Sequence, residues 1–133
     1  MTNKVGVLGE ATTATVGTTT VYTVPAGKGA KGRIMWRALN AAVGNATVEI
    51  IVNGMTVAKT GNIAVNEYCY SNISFLSSAS TATAPTGATA ALTIAPAPPI
   101  YYLSAGDTVT YAIATNALSS INMQFVGVEV DVE

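Results

Sequence analysis

Apolar and polar residues alternate at a period of two along most of this chain, and Thr and Val fill much of the alternating sequence. Successive side chains of a strand point to opposite faces, so the pattern predicts half-buried β-strands; a sustained helical period is hard to find. Thr18-Thr19-Thr20-Val21-Tyr22-Thr23-Val24 is one predicted strand, stopped by Pro25-Ala26-Gly27. Lys31 to Leu39 is a second. Its alternation places Ile34, Trp36 and Ala38 on one face, which makes Trp36 a core candidate. Lys31, Arg33, Met35 and Arg37 fall on the other, away from that core.

The clearest local signal is a hairpin. Thr47-Val48-Glu49-Ile50-Ile51-Val52 and Met55-Thr56-Val57-Ala58-Lys59 flank Asn53-Gly54, the dipeptide best suited to a type I′ turn. A two-residue loop is expected to set Val52 opposite Met55 and Ile50 opposite Val57. Further strands are predicted at Glu67–Phe75, Ala90–Ile94, Ile100–Leu103, Thr108–Ala114 and Met123–Val132. Ser104-Ala105-Gly106-Asp107 marks the turn before Thr108, with Gly106 free to take a positive φ.

Between Ser77 and Pro99 the composition shifts to Ser, Ala, Thr, Pro and Gly. A loop of that length in a compact domain is either functional or disordered. Segment 77–99 is therefore read as a surface loop or as an arm that reaches over a neighbouring subunit. Pro96-Ala97-Pro98-Pro99 is expected to be extended. About eight short antiparallel strands separated by turn signals predict one all-β domain over residues 1–133, a sandwich or barrel.

Composition sharpens the question of what covers this domain. Asp, Glu, Lys and Arg together make up 10% of the 133 residues, hydrophobic residues 50%, and histidine is absent. Mean hydropathy is +0.42. Soluble domains carry about 25% charged residues, so this surface belongs either in a membrane or under other protein. Apolar runs such as Ile50-Ile51-Val52 stop far short of the ~18–20 residues of a spanning helix. The start, Met1-Thr2-Asn3-Lys4-Val5-Gly6, has no apolar core or cleavage site, so no secretory signal is expected and synthesis is placed in the cytoplasm. The one cysteine, Cys69, leaves no disulfide within the chain and reads as a buried thiol. A membrane is thus disfavoured. Six basic residues and a net charge of −1 also argue against nucleic acid, whose binding draws on many phosphate contacts.

Little catalytic chemistry is on offer. Without histidine there is no Ser-His nucleophile, and Cys69 alone makes no zinc site. No catalytic, cofactor-binding or metal-ligating residue is predicted, and no cofactor. The seven acids, Glu10, Glu49, Glu67, Asp107, Glu129, Asp131 and Glu133, read as solvated or interface charges rather than a catalytic pair. Gly27-Lys28-Gly29-Ala30-Lys31-Gly32 matches a dinucleotide fingerprint, but Arg33-Ile34-Met35-Trp36 continues as a strand where the fingerprint needs a helix. The tyrosines Tyr22, Tyr68, Tyr70, Tyr101, Tyr102 and Tyr111 are either core and interface aromatics or the lining of a glycan groove.

The few charges are sorted. Lys28, Lys31, Arg33 and Arg37 lie in one short segment, and Glu129, Asp131 and Glu133 close the chain, alternating with Val128, Val130 and Val132. These seven residues are the candidate interface. Either the basic and acidic strands pair within one sheet, or they lie on opposite edges and join one subunit to the next.

Thr19-Thr20-Val21-Tyr22-Thr23-Val24-Pro25-Ala26-Gly27-Lys28, the Asn-Gly hairpin, and Tyr102-Leu103-Ser104-Ala105-Gly106-Asp107-Thr108-Val109 form a frame over most of the chain. This frame resembles the small β-sandwich virion proteins of tailed bacteriophages, head decoration (cement) proteins and tail-associated modules among them. The resemblance implies a jelly-roll-like protomer that oligomerises, sits on the outside of a capsid, and has the major capsid protein and its own copies as partners. The expected function is a capsid decoration protein without enzymatic activity. The rival is a tail-fibre or receptor-binding module that recognises host-surface glycans.

Overall fold

The Asn53-Gly54 turn is the tip of one long double strand around which the chain is wound. A computed structural model describes residues 4–40, 44–60, 62–65, 67–70, 80–81, 90–91, 93–94 and 100–132, with the backbone alone at 67–70, 80–81, 90–91 and 93–94. Among the described residues there are twelve strands and no helix. They are β1 (Lys4–Ala11), β2 (Gly17–Thr23), β3 (Lys28–Asn40), β4 (Thr47–Val52), β5 (Met55–Lys59) and β6 (Glu67–Tyr70). The chain continues through β7 (Ser80–Thr81), β8 (Ala90–Ala91), β9 (Thr93–Ile94), β10 (Tyr101–Ser104), β11 (Thr108–Ala114) and β12 (Ser120–Asp131).

Working outward from the tip, β4 pairs with β5, β3 with β10, β2 with β11 and β1 with β12, every pair antiparallel. Further pairing of β11 with β4 and of β12 with β3 rolls this double strand into two sheets. One runs β1-β12-β3 and continues along β3 to β10 and β6, the other runs β2-β11-β4-β5. This order is that of a jelly roll, so the expected fold class holds. The short strands β6 to β9 lie between the fifth and sixth strands of the roll, β5 and β10. Of segment 77–99, Ser80–Thr81 pairs with Thr93–Ile94, and Ala90–Ala91 lies parallel to β6. The other residues of that segment, and 71–75 of the strand expected at Glu67–Phe75, lie outside the described residues.

The alternation in the sequence becomes the core. Ile34, Trp36 and Ala38 of β3, Val48, Ile50 and Val52 of β4, Val109, Tyr111 and Ile113 of β11, and Ile121, Met123 and Phe125 of β12 are all buried in one cluster between the sheets. Asn53 and Gly54 take φ values of 51° and 80°, as a type I′ turn demands. Val52 faces Met55, as expected, but Ile51 faces Thr56 and Ile50 faces Ala58 rather than Val57. The extra residue is a bulge in β5, an edge strand, where a bulge bends the strand and blunts the edge against further pairing. Strand β1 escapes the sequence pattern for a related reason. Its register shifts between Val7 and Gly9, so Val5 and Val7 are exposed while Leu8 turns inward.

Asn40, at the end of β3, is the buried polar side chain among the described residues. Its Nδ2 donates to the carbonyls of Gly44 and Ile63, each at 2.7 Å. It thereby ties the loop after β3 to the Ala46–Ile63 bridge. Asn40→Leu leaves the Gly44 carbonyl without this donor and is expected to destabilise the fold by about 1–3 kcal/mol. Urea denaturation reads the loss; an unchanged midpoint would show that the tie carries no stability.

Candidate interaction surface

Parity along β12 decides where the charges go. Ile121, Met123 and Phe125 point into the core, so Gly127, Glu129 and Asp131 continue the inner row and Val126, Val128 and Val130 the outer one. On β3 the inner row runs through Ala30, Ile34, Trp36 and Ala38, leaving Lys31, Arg33, Met35 and Arg37 outside. The acids and these three cations therefore lie on opposite faces of the same sheet. Neither strand is an edge: β12 lies between β1 and β3, and β3 between β12 and the pair β10 and β6. The arrangement with the two strands on opposite edges is thereby corrected, and the charge matching inside the sheet reduces to one pair.

That pair is Lys28 with Asp131, directly opposite in register and joined by an ion pair. Both side chains are about one-third exposed (29% and 33%), and such a pair contributes about 0.2–1 kcal/mol. Glu129 faces inward at the open end of the sandwich and accepts a 2.6 Å hydrogen bond from the Tyr22 hydroxyl. Glu133 lies outside the described residues, as do the side chains of Tyr68, Cys69 and Tyr70.

Burial, reinforced by the Glu129 carboxylate, pushes the Tyr22 phenol well above the ordinary tyrosine value. The unfolded chain releases this proton near pH 10 and the folded one retains it, so stability is fully present below pH 10 and falls as pH rises beyond. Burial raises Tyr101 and Tyr111 in the same direction. Tyr22→Phe is expected to be less stable than the parent at pH 8, with the gap narrowing by pH 11. Denaturant midpoints at the two pH values check this, and a constant gap would contradict it.

The outer face of this sheet holds rows that cross three or four strands. Val5, Val128, Lys31 and Tyr102 are successive partners across β1, β12, β3 and β10. Val7, Val126 and Arg33 form the next row, then Glu10, Gln124 and Met35. Val5 is 75% exposed, Val7 48% and Tyr102 74%. Lys31 places its ammonium 5.5 Å from the centre of the Tyr102 ring, a contact of about 0.5–1 kcal/mol at an exposed site. Glu10 accepts hydrogen bonds from Gln124 at 2.6 Å and Asn122 at 3.1 Å. These two bonds hold its carboxyl below the usual glutamate range.

A shallow trough of about 560 Å³ runs between Lys31, Arg33, Met35, Ile100, Val126 and Val128. A second, of about 510 Å³, continues past Lys31 between Tyr102 and Val130. Sequence reasoning found the cations of this face but missed its valine half, because the faces of β1 and β12 could not be told apart from alternation alone. The fingerprint-like glycines open β3 directly, and no helix follows them. Tyr22 and Tyr111 are buried in the core and Tyr101 packs against it, so Tyr102 is the strongly exposed tyrosine among the described side chains. Among the described residues no cluster of three metal-ligating side chains occurs, and no helix is long and apolar enough to cross a membrane.

No protein-family model matches the chain, and no curated protein does. Among solved structures, it is similar to a chain in the acid-stable capsid structure of Helicobacter pylori bacteriophage KHP30, with 13% identity and a TM-score of 0.42 over 98% of this chain and 96% of that one. It is also similar to a family 35 carbohydrate-binding module from Clostridium thermocellum, with 16% identity and a TM-score of 0.34 over 92% and 98% of the two chains. The catalytic domain of a GH87 α-1,3-glucanase shows 21% identity and a TM-score of 0.33; the match covers 93% of this chain and 22% of the glucanase chain.

Proposed function

We propose that this chain is a structural virion protein: a decoration or cement protein that binds the outside of a phage head and stabilises it by clamping coat subunits. In this reading it is not an enzyme, and its partners are the major capsid protein and further copies of itself. The observation that carries the proposal is the outer face of the long sheet. A jelly roll with few charges exposes Val5, Val7 and Tyr102 beside the half-buried valines of β12. Exposed apolar side chains grouped on one sheet face fit a surface that another protein covers. The resemblance of the Thr19–Lys28 and Tyr102–Val109 segments to phage virion sandwiches points the same way.

A glycan-binding role draws less support, because the described tyrosines do not line up along one groove. Quantitative mass spectrometry of purified particles tests the proposal. Many stoichiometric copies per particle are expected, together with heads that open at lower temperature when the chain is absent. A particle without the chain would end the reading.

A further inference from the structure

Of the chain's asparagines, Asn53 alone is followed by glycine. Every other one precedes a residue that carries a Cβ, as in Asn45-Ala46, Asn62-Ile63, Asn116-Ala117 and Asn122-Met123. Asn53 and Gly54 are exposed at the tip of the β4–β5 hairpin, and a Cβ built at Gly54 would meet nothing within 4 Å. The ladder of this hairpin closes through Val52 and Met55, so the Gly54 nitrogen belongs to the loop. An unhindered backbone amide thus follows directly on a side-chain carboxamide in solvent.

We infer that Asn53 is a self-modifying site, which deamidates with the Gly54 nitrogen as nucleophile and water as co-reactant. The nitrogen gives up its proton and bonds to Asn53 Cγ; the Cγ–Nδ2 bond breaks, and Nδ2 leaves with that proton as ammonia. Water then opens the cyclic imide at either carbonyl, giving aspartate or isoaspartate with no change of oxidation state. The turn sets the pace. The φ values of 51° and 80° are those of a type I′ turn, whose ψ at the first loop residue points the Gly54 nitrogen away from Asn53 Cβ. The ring closes only when the tip opens, and the Asn53 N–H, bonded to the Thr108 carbonyl at 2.7 Å, resists that opening. The product carries a carboxylate close to Asp107, the residue before Thr108, and like charges repel. Isoaspartate also adds a backbone carbon to a loop whose length fixes the register of β4 and β5. In a chain with seven acids and six bases, one new charge is a large change. This chemistry stands apart from the virion reading, since it needs only the chain and water.

The test ages the full chain in mildly alkaline buffer, with and without urea, and follows it by anion exchange and peptide mapping. A species more acidic by a single charge is expected, with ammonia released in step. The change should map between Val52 and Met55, as paired aspartate and isoaspartate peptides. It is expected to run several-fold faster in urea, where the turn is gone. Gly54→Ala is expected to slow it several-fold in urea, where the φ of 80° that strains an alanine in the folded turn has no bearing. Asn53→Asp, a residue that tolerates positive φ, should elute at the acidic position from the start and gain no further species at this site. Absence of the acidic species, its mapping to another asparagine, or equal rates for Gly54→Ala and the parent in urea would overturn the inference. Equal rates for the parent in native buffer and in urea would overturn the role of the turn.

Discussion

Phe125→Ala is expected to cost the fold about 3–5 kcal/mol, the range for removing a buried aromatic and leaving a cavity. Phe125 is fully buried in the middle of β12, the strand that joins β1 to β3. Its ring stacks on Tyr22 with centroids 5.3 Å apart and an interplanar angle of 10°. The same ring lies against Gly32, where an added Cβ would meet it at 3.0 Å. The neighbours cannot collapse into the space, because Tyr22 is held from its far end by Glu129 and Gly32 has no side chain to move. The total stability of a domain is only about 5–15 kcal/mol, so this one truncation should bring unfolding near ambient conditions. A urea midpoint within 1 kcal/mol of the parent, by the usual conversion, would mean that the sheets close over the gap.

Gly127→Ala is the second large effect, and its cause is the backbone. Gly6, Gly127 and Gly32 are successive partners across β1, β12 and β3. A Cβ at Gly127 would run into the Lys31 carbonyl and the Gly32 Cα, both main-chain atoms of the neighbouring strand. No side chain can swing aside there, so β12 and β3 must separate locally. Overpacking ordinarily costs about 1–3 kcal/mol, and the upper end is expected. Thermal melting is the check; a melting temperature unchanged from the parent would show that the strands shift freely. The contrast with Gly54→Ala is useful, because Gly54 has open space around it and only its φ of 80° resists a side chain.

Much of the architecture was legible because local signals coincide with the topology. The Asn53-Gly54 turn, the strongest signal in the sequence, is the tip of the rolled double strand. The inward row of β3 follows directly from Ile34, Trp36 and Ala38, and Gly106 takes the positive φ of 89° that its turn requires. What stayed hidden has a common cause. In Phe125-Val126-Gly127-Val128 both parities are apolar, so alternation separates the valines from the acids without saying which row is inward. Strand β1 hides for the same reason, with Gly6, Gly9 and a bulge breaking its period. The candidate site was half legible: its cations were found, while the valine rows beside them depend on register between strands far apart in sequence.

The central claim is that the valine and lysine face of the long sheet is the one that other protein covers in the particle. A cryo-EM map of the virion at side-chain resolution tests it most directly. Strands β1, β12 and β3 are expected against the shell, with Val5, Val128, Lys31 and Tyr102 under shell density. A map with that face turned to solvent, and the β2-β11-β4-β5 sheet against the shell, would contradict it.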